Sequence, residues 1–232
     1  MTSTEIFLDL YKQMESELEK KYKNAKRRFS SVVYEYRKDH ESEPIRDQLE
    51  TCREIRNLLT HTANVGGEPV VQPSEPIISM MREVLCYVEK PPLALSFATK
   101  KEQILTANLS QRVMRLMEVM TTNGFSHVPV MENGLFFGVF SAGTIFRYNM
   151  HGEKRIDRET KLSELKEYLP IRTHFEEYAF LPETATYMEV KKTFDNIKAR
   201  NRRVHVVFIT KGGEESEPLL GMVTPWDVIK NG

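Results

Sequence analysis

His127-Val128-Pro129-Val130 is followed, after Glu132-Asn133-Gly134, by Gly138-Val139-Phe140-Ser141. Both runs are short and apolar, so they predict two strands joined by a turn. The same order returns in His205-Val206-Val207-Phe208 and Gly221-Met222-Val223-Thr224, which are shifted by 78 and 83 residues. The shift increases by five residues because the turn between the two strands is longer in the second copy. A duplicated unit of this size predicts two copies that pack together and leave a cleft between them.

Each pair of predicted strands follows a segment whose apolar residues recur at helical spacing. In the first copy these residues are Leu109, Val113, Leu116 and Met120. In the second copy they are Tyr187, Val190, Phe194 and Ile197. We therefore predict that each copy contains a helix, a strand, a turn, a strand and a short helix.

Residues 1–90 have helical spacing almost throughout. The four predicted helices carry Ile6 to Leu18, Phe29 to Tyr36, Ile45 to Leu59, and Ile77 to Val88, with a loop over 64–69. Ser42 and Ser74 each precede a proline by two residues, which predicts two capped helix starts. The simplest packing is an antiparallel four-helix bundle, ended by Pro91-Pro92.

The predicted fold class is therefore α+β. A helical bundle over residues 1–90 is followed by two repeat domains, at 93–150 and at 160–232.

Composition restricts the classes of function. Lys+Arg and Asp+Glu both number 33, so bulk charge indicates neither a nucleic-acid partner nor a membrane surface. No apolar run reaches 18 residues and no signal-peptide pattern is present, so we expect no membrane association. Cys52 and Cys86 form no CxxC pair, which favours a reducing cytoplasm and argues against structural zinc.

The duplicated region resembles a tandem pair of cystathionine-β-synthase (CBS) domains. The resemblance lies in residues 113–146, which include His127-Val128-Pro129-Val130, and in residues 178–229, which end in Gly221-Met222-Val223-Thr224-Pro225-Trp226-Asp227. It implies a ligand-sensing module whose cleft takes AMP, ADP, ATP or another adenosine-containing ligand. No cofactor is required by this reading.

In the second copy the resemblance places a phosphate at Thr224 and a ribose at Asp227. Gly221 would allow close approach to the backbone, and the adenine would lie against His205, Val206 and Val207. The chemistry is suitable, because an ionised carboxylate only accepts hydrogen bonds and can take both hydroxyls of a ribose. The alternative is that Thr224 and Asp227 only cap the last helix.

The first copy departs from this motif. Ser141 keeps the hydroxyl, but Thr144 stands where the acid would be, while Val128 and Pro129 match the adenine side. We expect this half-site to be degenerate. His127 and His205 occupy equivalent positions, and without further ligands they are interpreted as strand residues and not as a metal site.

A basic run at 198–203 either holds ligand phosphates or is a solvated helix end.

Arg56, Asn57 and His61 form a second candidate site in the helical half. An arginine and a histidine five residues apart resemble the motif of the HEPN helical-bundle superfamily, several of whose members are metal-independent ribonucleases. Arginine would stabilise a phosphorane-like transition state and histidine would act as acid or base. Alternatively, Arg56 pairs with Glu54 or Glu83 and the bundle serves only for dimerisation.

Three functions remain open at this point. The first is a cytoplasmic regulatory protein that senses an adenine nucleotide and forms a homodimer. The second is a ribonuclease gated by the CBS pair, the only case in which nucleic acid is a partner. The third is a structural dimer that binds no ligand.

Overall fold

The structure is a computed structural model that describes residues 1–22, 31–62, 67, 69–151, 155–196 and 203–231. The chain forms two compact units, which comprise residues 1–92 and 93–232. Phe29, most of the predicted loop over 64–69, Ile197 and residues 198–202 lie outside the described residues.

The first unit is helical, as predicted. Its α-helices are α1 (Ser3–Lys21), α2 (Val32–Lys38), α3 (Arg46–His61) and α4 (Glu75–Glu89). Helix α1 begins with a capping box, in which the Thr2 hydroxyl accepts from the Glu5 amide and the Glu5 carboxylate accepts from the Thr2 amide. The helices enclose one core, whose largest fully buried side chains include Phe7, Met14, Leu18, Tyr36, Leu49 and Met81.

The two predicted serine caps are not formed. Ser42 lies inside a 3-10 helix, His40–Ile45, and its buried hydroxyl donates to the carbonyls of Arg37 and Asp39. Helix α3 therefore begins at Arg46, after this turn. Ser74 does stand at the N-cap of α4, but its side chain makes no capping hydrogen bond.

The second unit contains both copies of the repeat. The strands of the first copy are β2 (Ala107–Asn108), β3 (His127–Glu132) and β4 (Leu135–Ser141). Those of the second are β5 (Glu177–Pro182), β6 (Val204–Thr210) and β7 (Gly221–Val223). In each copy the first strand is parallel to the second, which is antiparallel to the third. The predicted turn is confirmed, because Asn133 and Gly134 join β3 to β4 with positive φ angles.

The helices of the second unit are α5 (Val113–Asn123), α6 (Ala142–His151), α7 (Tyr187–Asp195) and α8 (Pro225–Asn231). The repeated order of helix, strand, turn, strand and helix is thus confirmed. Leu109 was placed in the first helix and precedes it instead, since α5 begins at Val113. Strands β2 and β5 were not predicted. The finer division at 93–150 and 160–232 stays a prediction.

Each copy is completed by a segment that precedes the other copy. Strand β1 (Thr99–Lys100), before the first copy, pairs antiparallel with β7 of the second. The segment between the copies returns to the first one, where the Val113 amide donates to the Thr160 carbonyl at 2.9 Å. Apolar residues of both copies, including Phe136, Val139, Tyr178, Val206, Phe208 and Leu219, form a shared core.

Two glycines at equivalent positions accommodate these exchanged segments. A Cβ atom on Gly138 would lie 2.2 Å from the backbone oxygen of Leu169. A Cβ atom on Gly221 would lie 2.9 Å from Leu95 Cδ2, the end of a flexible side chain. The obstacle at Gly138 is backbone, whereas the obstacle at Gly221 is a side chain that can move aside.

We predict that Gly138→Ala destabilises the chain by about 1–3 kcal/mol, because the new methyl group would displace the segment at Leu169. Gly221→Ala is the matched control and should cost clearly less. Urea unfolding of both variants measures the difference. Equal costs would show that the backbone contact at Leu169 is not the constraint.

Candidate functional site

The second unit contains a cavity of about 490 Å³ at the ends of its strands. Four stretches of chain line it: Thr99 with Gln103–Leu105, then Gly124–His127, Arg203–His205, and Met222 with Thr224–Asp227. The cavity therefore receives residues from both copies and from the segment that precedes the first. Three of the predicted site residues, His205, Thr224 and Asp227, are among its walls.

Thr224 and Asp227 are joined to each other at the start of α8. The Asp227 carboxylate accepts from the Thr224 hydroxyl at 2.8 Å and from the Thr224 amide at 2.7 Å. This is the capping arrangement considered as an alternative above. Because both residues also line the cavity, capping and ligand binding are compatible roles for them.

The remaining walls divide by polarity. Ile104 and Val204 are buried and apolar, and Leu105 is partly exposed beside them. Arg203 and His205 are exposed and polar. The cavity lining therefore contains both apolar and polar side chains.

Aromatic side chains stand at the edge of the same cavity. Trp226 is 77% exposed and Phe125 is 45% exposed. Each offers an apolar ring surface, on which a flat ligand can stack. Of the predicted basic run, Arg203 is the described member, and it lines the cavity.

Other predicted binding residues do not line the cavity. Val206 is buried in the core shared by the two copies, and Val207 is buried in the core beside α7. Gly221 does permit a close approach, but the approaching groups are Leu95 and Ala98 of the same chain. These three positions were assigned from the motif, which cannot show the direction in which a strand residue points.

The equivalent position in the first copy is filled by protein. Ser141 and Thr144 are fully buried. The Ser141 hydroxyl donates to Glu176 Oε2 at 2.5 Å, and the Thr144 hydroxyl donates to the Val139 carbonyl at 3.2 Å. Val128 and Pro129 are also buried, in strand β3. None of these four residues lines the cavity described above.

Glu176 is the buried charged residue beside the first half-site that the sequence did not indicate. Its carboxylate accepts from the Tyr178 hydroxyl at 2.9 Å, and it lies 3.2 Å from His174 Nδ1 and 3.5 Å from His127 Nε2. His174 Nε2 donates to the Leu169 carbonyl, which fixes a proton on that nitrogen. Because β5 was not predicted, residues 174–178 had no assigned place in the fold.

Burial and hydrogen bonding shift the pKa of Glu176 in opposite directions. Burial alone would raise the pKa of its carboxyl group, because it disfavours the charged form. The contacts with His127, His174, Ser141 and Tyr178 outweigh burial and hold the pKa of Glu176 well below its ordinary value. The carboxylate is therefore ionised at neutral pH. Burial raises the pKa of Tyr178, and the negative charge of Glu176 raises it further.

The two equivalent histidines lie between the open cavity and the filled position. The ring centroids of His127 and His205 are 5.7 Å apart. His127 lines the cavity and also faces Glu176, whereas His205 is exposed. Among the described residues, no group of three or more His, Cys, Asp or Glu side chains could hold a metal ion.

Arg56, Asn57 and His61 are brought together in the first unit. Arg56 Nη1 lies 3.3 Å from His61 Nε2 and 3.4 Å from Asn57 Oδ1, and its guanidinium lies over the Tyr11 ring. Among the described residues, neither Glu54 nor Glu83 forms an ion pair with Arg56, and His61 is the last residue of α3. The alternative of a bundle that serves only for dimerisation stays a prediction. The likeness to HEPN bundles stays a prediction.

Comparison with known proteins identifies the class of the second unit. Residues 98–151 match the family model of the CBS domain. The second copy repeats the order of elements of the first, so this part of the chain has the architecture of a CBS domain pair. No curated protein matches the chain significantly.

Three solved structures are similar to this chain. The CBS domain pair of protein MJ0100, in complex with 5′-methylthioadenosine and S-adenosyl-L-methionine, is 15% identical, with 61% of this chain and 96% of that chain covered and a TM-score of 0.43. CBSX2 in complex with AMP is 13% identical, with 60% and 95% covered and a TM-score of 0.43. The CBS domain of a bacterial CNNM/CorC family Mg²⁺ transporter, in complex with ATP, is 19% identical, with 65% and 92% covered and a TM-score of 0.41.

The described part of the chain has no helix that is long and apolar enough to cross a membrane.

We predict that stability decreases as the pH falls below about 4.5, the ordinary pKa of a glutamate. The pKa of Glu176 is lower in the folded than in the unfolded chain. Its contribution is therefore present above the unfolded pKa and is lost as the pH falls through the folded pKa. Glu176→Gln should remove about 1–3 kcal/mol of this pH dependence between about pH 7 and pH 3.

Chemical unfolding across this pH range measures the effect. The matched control is Glu159→Gln, which removes an exposed carboxylate that pairs with Arg112 and should keep the wild-type pH dependence. If Glu176→Gln keeps it as well, the buried carboxylate does not stabilise the fold.

Proposed function

We propose that the second unit binds an adenosine nucleotide in the cavity beside Thr224 and Asp227, and that the protein acts as a regulatory sensor of that ligand. The observation that carries this proposal is an open cavity whose lining combines apolar side chains with a carboxylate, a hydroxyl and a guanidinium. A volume of about 490 Å³ suits a small-molecule ligand, for which pockets of roughly 300–1,000 Å³ are usual.

The apolar wall supports binding of the base. Ile104, Leu105 and Val204 offer a surface that excludes water from a flat ring. Trp226 and Phe125 offer aromatic faces at the edge of the cavity. Neither group distinguishes among adenine ligands, so the choice among AMP, ADP, ATP and related compounds is left to experiment.

The polar wall supports binding of the ribose and the phosphate. Asp227 accepts two hydrogen bonds from Thr224 through Oδ2, and a carboxylate has further acceptor positions for the hydroxyls of a ribose. Arg203 is exposed at the same cavity and can form charge-assisted hydrogen bonds with a phosphate. The role of each residue belongs to this proposal.

The openness of the cavity bears on the ligand-free scaffold hypothesis. A scaffold with no ligand predicts a cleft filled by side chains on both sides. The position beside Ser141 is filled in this way, whereas the position beside Asp227 is open. A homodimer and a cytoplasmic location stay predictions.

We predict that Asp227→Ala weakens binding of AMP by at least about tenfold, which corresponds to about 1.4 kcal/mol. Calorimetric titration would use AMP, ADP, ATP, S-adenosylmethionine and cyclic dinucleotides. Wild type should bind 2′-deoxy-AMP and 3′-deoxy-AMP more weakly than AMP, because each lacks one hydroxyl. The variant should not distinguish the three, since its ribose acceptor is gone.

Asp157→Ala is the matched control. Asp157 accepts from the hydroxyl and the amide of Thr160, as Asp227 does from Thr224, but it does not line the cavity. Its removal should leave AMP affinity unchanged. Binding of none of the compounds by wild type, or equal affinity in Asp227→Ala, would refute the proposed site.

A second function is favoured by one observation in the first unit. The side chains of Arg56, Asn57 and His61 meet within 3.4 Å, although the motif alone does not ensure this. A guanidinium beside an imidazole can stabilise a phosphorane-like charge while a proton is transferred. We therefore keep a metal-independent ribonuclease as the alternative function.

For this alternative, His61→Ala should lower RNA cleavage by roughly 10²–10⁴-fold, the usual contribution of a general acid or base. The assay would use RNA with EDTA, with and without AMP and ATP. His40→Ala is the control, because His40 is also exposed and lies in the same unit. Absence of cleavage by wild type in every condition would exclude the alternative.

A further inference from the structure

Strand register relates each residue of one copy to its counterpart in the other. Val130 of β3 pairs with Ala107, and Phe208 of β6, its counterpart, pairs with Phe180. Ala107 and Phe180 are therefore equivalent. Four residues before each of them stand Gln103 and Glu176.

These two equivalent residues have opposite surroundings. Gln103 is exposed and lines the open cavity, at whose edge Thr224 and Asp227 stand. The Glu176 side chain is 10% exposed and bonds to Ser141, the counterpart of Thr224. The repeat thus has one open position and one that a carboxylate occupies.

The Glu176 carboxylate lies close to the backbone of Gly143. A Cβ atom on Gly143 would lie 2.9 Å from Glu176 Oε2 and 3.0 Å from Phe175 Cζ. The carboxylate is therefore in contact with the backbone at the start of α6. The counterpart of Gly143 is Trp226, which stands exposed at the wall of the open cavity.

The chemistry of the contacts is that of an anion site. The Ser141 and Tyr178 hydroxyls donate to Glu176 Oε2, and the His127 and His174 rings face the carboxylate. A phosphate would use the same donors, because it is also a negatively charged acceptor. A nucleotide entering this position would have to displace Glu176 and leave its buried charge without these partners.

We propose that Glu176 is a built-in occupant of the first half-site and determines that the pair takes one nucleotide per chain, beside Asp227. This inference rests on the proposed function for the identity of the ligand. It adds that Glu176 is the residue that prevents a nucleotide from binding in the first half-site.

The test is the stoichiometry of AMP and ATP binding to the full chain, measured by calorimetry. Wild type should bind one equivalent. Glu176→Ala should bind a second equivalent, at least about tenfold more weakly than the first, because Thr144 supplies no acid for the ribose. Glu176→Gln is the matched control, since it keeps the volume of the side chain and should bind one equivalent.

Two equivalents bound by wild type, or one bound by a folded Glu176→Ala, would overturn the inference and leave the proposed function intact. If wild type binds neither nucleotide, the proposed function fails. In that case, binding of one equivalent by Glu176→Ala would still support the proposal that Glu176 occupies the first half-site. Binding of none by this variant would overturn it.

A reciprocal variant decides the matter if Glu176→Ala does not fold, as judged by circular dichroism. Gln103→Glu places a carboxylate at the equivalent exposed position of the open cavity. It should weaken AMP binding at least about tenfold, whereas Gln72→Glu, which adds the same charge at an exposed position that does not line the cavity, should leave it unchanged. Unchanged affinity in Gln103→Glu would show that a carboxylate at this position does not exclude a nucleotide.

Discussion

Backbone hydrogen bonds from outside each copy complete that copy, and the second unit depends on this exchange. Thr99 and Lys100 extend the sheet of the second copy, and Thr160 supplies an acceptor at the start of α5 in the first. A strand edge left without such partners would expose donors and acceptors that must be paired elsewhere. The sheet of the second copy is therefore complete only with β1, and the first copy receives backbone hydrogen bonds at α5 and β4 from the segment that leads into the second.

The exchange also determines what lines each half-site. The segment that ends in β2 runs beside the ends of β6 and β7, and the segment that ends in β5 runs beside Ser141. Each half-site thus has one wall from its own copy and one from the segment that enters the other copy. Gln103 and Glu176, which stand at equivalent positions in these segments, are one of the differences between the two half-sites.

The sequence was sufficient to predict the repeat, its hairpins and helices, and the resemblance to a CBS pair. These features depend on local patterns: alternating apolar residues, the Asn133-Gly134 turn and helical spacing. The resemblance to the CBS pair placed Thr224, Asp227 and His205, three of the residues that line the cavity.

Features that depend on contacts distant in sequence were not predictable in this way. Strand β2 has only two residues, and Ser42 is held by carbonyls of the preceding turn and not by the helix it was expected to cap. Glu176 bonds to Ser141, 35 residues earlier, through the exchanged segment. No periodicity indicates such a partner, because the segment crosses from one copy to the other.

The two copies differ in the position of the carboxylate that accepts from the equivalent hydroxyl. Thr224 and Ser141, at equivalent positions, each donate a hydroxyl to a carboxylate. In the second copy the carboxylate is Asp227, three residues further along the same turn, so it stays at the wall. In the first copy Thr144 cannot fill that role, and Glu176 contacts Ser141 from the segment that leads into the second copy. The Asp227 carboxylate, from the same turn as Thr224, stays at the wall of the cavity. The Glu176 carboxylate, from another segment, occupies the position beside Ser141.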